Sequence, residues 1–322
     1  MKIGLYSITY LGLWYDGPAL TQSELIDRAK RFGYEGVEID GKAPHGNPGD
    51  LTSDRCREVR AKAAGEGIDI YAVAANNDFS SPVDEHREVQ MLYVRNLLRM
   101  CSDLGAGTLR IFAAWPGVCR AAKVGSYAAA EKVWADSHAG VPSDKTWDRC
   151  RSCLIECARW ASEEGVVLAL QNHPEVIHHY SDLIRMIREV DSPALKACLD
   201  APLARRQRDT DMREAARAVG KLQVLTHFGG EYEEGPDGQV IGYVRARSGA
   251  LTEQDFYGDF TAGMLEIGYE GYTGYELCHP LPVVNHKPAG LDFVDKNARL
   301  AAQFMRNVIA EAQRAAAVPA AR

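Results

Sequence analysis

The sequence has 322 residues, 46% of them apolar and 25% charged, the balance of a globular chain that can bury a core without disulfides. Its formal net charge of −7 argues against a duplex nucleic acid as partner, because phosphate contacts call for basic patches. No apolar run reaches the length of a membrane span, and the start MKIGLYSITYLGLWYDG lacks a signal peptide's basic head and cleavage site, so a cytoplasmic location is expected.

Short apolar strands alternate with amphipathic helices from end to end. The predicted strands are 2–8, 36–40, 68–74, 108–114, 166–172, 195–200, 222–228 and 272–277. Thr21 and Glu24 form a capping box before LIDRAKRF, and Gly33 closes that helix. Thr252 with Asp255 is a weaker start of the same kind, and VQMLYVRNLLRMCSDLG has helical periodicity up to Gly105. Eight strand–helix units in one chain without a linker predict a single (β/α)8 TIM barrel over 1–322. Two connections are long, about 115–145 and 229–251, and both follow strand C-termini, where barrel enzymes build their sites. Cys150, Cys153 and Cys157 could suggest zinc. Their spacing of three and four instead puts all of them on one helix face, and no second ligand pair follows.

Inward and outward positions alternate along a barrel strand. In GVEID, Val37 and Ile39 suit the helix-facing side, so Glu38 and Asp40 point inward. The same parity turns Gln171 and His173, Cys198 and Asp200, His227, and Gly274 and Glu276 to the interior. Gln171, Asp200, His227 and Glu276 therefore form a candidate metal ring, one residue from each of the last four strands. Carboxylates at a barrel mouth are costly unless paired or bound to a cation. A donor set of mostly oxygen suits Mn²⁺ first, with Mg²⁺ or Co²⁺ as alternatives.

The runs LALQNH, KACLDAPL, VLTHFGGE and GYEGYTGYELCHP, with KIGLYSITY and GYEGVEID, resemble the xylose isomerase-like sugar isomerase/epimerase superfamily over essentially the whole chain. The resemblance implies a (β/α)8 barrel and a divalent metal held by glutamate, aspartate, histidine and glutamate. Asp200, His227 and Glu276 match three of those positions, whereas Gln171 stands where the first glutamate is expected. An amide oxygen can ligate a hard cation but cannot act as a carboxylate base, which weakens the two-glutamate proton shuttle of the ketose epimerases. The segments EIDGKAPHGNP, YAVAANNDFSSP and IFAAWPGV are similar to α subunits of C-glycoside deglycosidases. Those are metal-dependent lyases of 3-oxo-glucosides that work with a small β subunit.

The chemistry so implied is proton abstraction next to a carbonyl, followed by elimination, isomerisation or epimerisation. Glu276 and His138, the latter in the long loop after strand four, are the catalytic candidates; a surface histidine is the competing reading for His138. Glu38, His45, Trp115, His173 and His279 are candidates for substrate contact, and Trp14 and Tyr15 for an aromatic wall. Each has a structural alternative: Glu38 pairing with Arg110, His45 as a turn residue, Trp115 as a loop anchor, His173 orienting a ligand, His279 hydrogen-bonding within its loop. The competing functional classes are an inosose dehydratase or plain epimerase, and a metal-free sugar-binding barrel. The expected partners are a sugar or glycoside, a small β subunit and further copies of the chain.

Overall fold

A computed structural model of the chain describes residues 1–121, 124–206, 211–244, 255–284 and 287–317. Eight strands make the central wall: β1 Lys2–Tyr6, β2 Gly36–Asp40, β3 Asp69–Ala74, β4 Thr108–Ile111, β5 Val167–Gln171, β6 Leu195–Cys198, β7 Gln223–Gly229 and β8 Tyr272–Glu276. All neighbours are parallel, and β8 pairs back onto β1 to close the barrel. Among the described residues no helix is long and apolar enough to cross a membrane.

Local signals explain the helix boundaries. Helix α1 (Gln22–Phe32) starts on the reciprocal Thr21–Glu24 capping box and ends at Gly33, whose φ of 78° suits a residue without Cβ. The helix Asp84–Leu104 likewise stops at Gly105. Thr252 lies outside the described residues. Five strands end one to three residues earlier than expected, and at β4 and β6 side chains take over from the ladder. After β4, Asn77 holds both the amide and the carbonyl of Phe112. After β6, Gln223 accepts from the Leu199 amide and Asn172 from the Asp200 amide.

The chain buries two apolar layers. The larger lies between strands and helices, where Val37, Ile39, Leu168 and Leu170 are fully buried. The cysteines at 150, 153 and 157 belong to it, on the inner face of the helix Ser143–Glu164. The smaller fills the barrel with Ala72, Ala169, Cys198 and Leu225 above Tyr71, which stacks on Tyr272 at 4.2 Å. Gly4, Gly36 and Gly274 leave the volume that the Tyr71 ring occupies; a Cβ at Gly4 would lie 2.3 Å from it. This plug closes the lower end of the barrel, so the polar residues gather at the upper end.

The upper face carries the long connections. Between β4 and the helix Ser143–Glu164 lie a ribbon (Cys119–Ala121 with Val124–Ser126) and the helix Tyr127–Ser137. After β7 a second ribbon pairs Glu231–Glu234 with Val240–Val244. After β8 a third, Val283–Val284 with Lys287–Pro288, was not anticipated from the sequence.

Candidate active site

The strand parity read from the sequence turns a set of polar side chains into the upper barrel. Glu38, Asp40, Arg110, Gln171, Asp200 and His227 are all buried there. At their centre is His227. Its Nδ1 lies 3.0 and 3.1 Å from the two oxygens of Asp200, and its Nε2 lies 2.7 Å from Glu38 Oε2. Glu38 is thus a partner of His227, and Arg110 Nε stands 3.7 Å from its other oxygen. The Cys198 thiol, 3.3 Å from Asp200 Oδ1 and 3.8 Å from His227 Nδ1, completes a cluster whose ligand atoms all lie within 4.8 Å of one another.

Electrostatics make this cluster a place for positive charge. Burial alone would lower the His227 pKa, but Asp200 and Glu38 outweigh it and hold the ring well above its ordinary value. Burial likewise works to raise Asp200, and His227 overrides it, leaving that carboxyl below its ordinary value. With Nε2–H given to Glu38, a neutral ring would turn its Nδ1 lone pair onto a carboxylate. That contact is repulsive unless a proton or a cation lies between them. The donor set therefore fits a divalent ion, with Asp200 and His227 as ligands and Glu38 fixing the ring from behind.

Two of the expected ligands are placed differently. Gln171 presents its amide nitrogen to Asp200 and His227, while its oxygen faces Arg110 Nη1 at 3.5 Å. In this arrangement the amide donates to the buried carboxylate. Glu276 stands outside the cluster and lines the cavity above it, where burial raises its carboxyl pKa.

That cavity, about 380 Å³ in volume, has the size of a small-molecule site. One wall is aromatic: Phe112 and Trp115 stack at 5.1 Å, and Trp14 packs on Tyr127 at 5.0 Å. Tyr15 stays outside, its hydroxyl donating 2.6 Å to the Pro18 carbonyl. Two histidine–carboxylate pairs border the space. His173 Nδ1 meets Glu175, with the ring edge-on to Trp115; His279 Nε2 lies 3.0 Å from Glu231. Trp115, His173 and His279 all line the cavity.

Two expectations need correction. His45 does not reach the cavity: its Nε2–H donates 2.8 Å to the Leu20 carbonyl, its ring is buried, and burial lowers its pKa. Its place is under the loop before α1, because Pro44 and Gly46 turn the chain back there. His138 ends the helix Tyr127–Ser137, stacked on Trp134 at 4.0 Å with Nδ1 2.7 Å from the Trp134 carbonyl. It faces a groove on the outer side of that helix, with Asp144 and Trp147.

Other participants escaped the sequence reading. Tyr6, at the end of β1, donates 2.6 Å to Asp40 and receives Arg110 at 2.6 Å. Lys42 and Asn76 meet above Asp40, the amide donating to Asp40 at 2.9 Å. A polar-tipped aromatic at the C-terminal end of a barrel strand was the available signal for Tyr6.

Residues 26–306 match the family described as the xylose isomerase-like TIM barrel. The chain belongs to that family. No curated protein sequence matches it. Among solved structures of this xylose isomerase-like fold it is similar to D-psicose 3-epimerase from Clostridium cellulolyticum H10. The TM-score is 0.69 at 18% identity, over 96% of this chain and 99% of that one. It is also similar to a 3-keto-D-glucoside 4-epimerase from E. coli, with TM-score 0.64 and 18% identity over 98% and 99%. A third is the IOLI protein crystallised with a zinc atom, with TM-score 0.63 and 16% identity over 97% and 98%. At these identities the likeness establishes the shared barrel.

Proposed function

We propose that the protein is a divalent-metal-dependent enzyme that removes a proton next to the carbonyl of a keto-sugar or 3-oxo-glycoside. The observation that carries this reading is the buried Asp200–His227 pair, clamped by Glu38 and joined through Gln171 to a cavity that Gln171 and Glu276 line. Similarity in fold to proteins named as a ketose 3-epimerase, a 3-keto-glucoside 4-epimerase and a zinc-binding barrel supports it.

Asp200 and His227 would hold a divalent ion, which when bound would supply Lewis acidity toward the substrate carbonyl. The remaining work falls to side chains. Glu276, a carboxylate beside the cluster with a raised pKa, is suited to take the α-proton. Arg110, held by Tyr6 and lying over Phe112 at 4.4 Å, adds fixed positive charge where an enediolate would form. Trp115 and Phe112 offer a flat face to the sugar or its substituent.

Elimination from a 3-oxo-glycoside, the reaction type of C-deglycosylation, is the finer reading. Gln171 stands where the resemblance to the ketose epimerases implies a glutamate, and an amide cannot take up or return a proton as that carboxylate would. The pairs His173–Glu175 and His279–Glu231 can instead protonate a departing group. Isomerisation or epimerisation of a keto-sugar is the second reading, favoured by the named structures.

The test is incubation of the metal-loaded protein with 3-oxo-glucosides in D₂O. Deuterium should enter one carbon next to the carbonyl, and Asp200→Ala or His227→Ala should abolish both metal retention and exchange. Exchange that persists in both variants, or a wild-type protein that neither binds metal nor exchanges deuterium, would sink the proposal. Release of the aglycone would identify elimination; a new sugar epimer with no release would identify epimerisation.

A further inference from the structure

We infer that Cys198 is a metal ligand, so that the cluster is a thiolate site that prefers zinc or cobalt over manganese or magnesium. The inference rests on the proposed metal dependence and deepens it. Cys198 sits on β6 two residues before Asp200, and its side chain is completely buried. Its apolar neighbours Ala72, Ala169 and Leu225 account for that burial. The thiol donates toward Asp200 Oδ1 at 3.3 Å and lies 3.8 Å from His227 Nδ1, so the sulfur faces the same two donor atoms that would hold the ion.

The three separations within the cluster are 3.0, 3.3 and 3.8 Å. Donors held tetrahedrally at 2.0–2.3 Å from one ion are roughly 3.3–3.8 Å apart, so the edges already approach those of a tetrahedral site. Gln171 does not compete for the place, because it offers the cluster its amide nitrogen while its oxygen faces Arg110. Where a carboxylate is replaced by this neutral amide, a thiolate restores an anionic ligand from the neighbouring strand. Ligation releases the thiol proton to solvent, and the sulfur's softness selects against the hardest cations.

Cobalt reports thiolate directly. The full-length protein, stripped with a chelator and titrated with Co²⁺ alone, should develop near-ultraviolet thiolate-to-cobalt charge-transfer absorption beside the visible bands of bound cobalt. Cys198→Ser should lose the charge-transfer absorption and keep the visible bands. Its Zn²⁺ affinity should fall about ten- to hundredfold, the scale of support lost at metal sites, with a much smaller change for Mn²⁺. Cys278→Ser, at a cysteine that lines the cavity above the cluster, should keep the absorption. Visible bands that depend on Asp200 but come without charge transfer in the wild type would overturn thiolate ligation and leave the metal site standing. Absorption that survives Cys198→Ser would overturn it too, and failure of Co²⁺ to bind at all would remove both claims. The wild-type spectrum decides without relying on a variant's folding.

Discussion

At the scale of single residues, the upper barrel shows how much a histidine's surroundings decide its work. His227 is flanked by carboxylates on both ring nitrogens, and the ring is held charged or metal-bound. His45 is equally buried but donates through Nε2 to the Leu20 carbonyl, and among the described residues its Nδ1 has no hydrogen-bond partner. Burial outweighs the Leu20 and Ser7 carbonyls and Asp40, which favour the charged ring, so the folded pKa of His45 lies below the ordinary value. The unfolded chain then binds more protons than the folded one as pH falls through about 6.5, and the native state loses stability there. The expected outcome is a wild-type melting temperature that drops from pH 7 to pH 5 more steeply than that of His45→Gln. Equal slopes would show that His45 contributes nothing to acid destabilisation.

At the scale of elements, the register between β7 and β8 sets the room for chemistry. Gly274 pairs with His227 across that register, and a Cβ there would lie 2.9 Å from His227 Cδ2 and 2.6 Å from the Tyr71 hydroxyl. Neither ring can yield easily: Tyr71 is stacked on Tyr272, and His227 is held at both nitrogens. Gly274→Ala should therefore cost about 1–3 kcal/mol in denaturant unfolding, the range for overpacked cores, and weaken metal binding. Wild-type stability together with wild-type metal affinity would show that the strands can spread to admit the methyl group.

At the scale of the whole molecule, the barrel and its cluster are coupled by linkage. Residues from β2, β6 and β7 meet at His227, so an ion bound there ties together three elements that are distant in sequence. A ligand that binds only the native state at a hundred times its Kd adds about 2.7 kcal/mol. Saturating Zn²⁺ or Co²⁺ should accordingly raise the melting temperature of the stripped protein by several degrees and leave Asp200→Ala unmoved. A rise of the same size in that variant would place the stabilising ion elsewhere.

The periodicity of the chain determined the barrel and its strand order, because a strand buried on both faces and a one-sided helix leave patterns of different period. Strand parity also brought Glu38, Gln171, Asp200 and His227 to one place, since alternation holds wherever the ladder is regular. Parity says which way a side chain leaves its strand, not which atom it presents or to whom. Only the folded barrel turned the Gln171 oxygen toward Arg110, brought the Cys198 sulfur beside Asp200, and set Glu276 in the cavity wall. Loops carry no such alternation, so Trp115, His173 and His279 reach the cavity while His45 and His138 turn away. His45 is placed by the Leu20 carbonyl, a contact the linear order does not encode, and His138 by Trp134 one helical turn earlier.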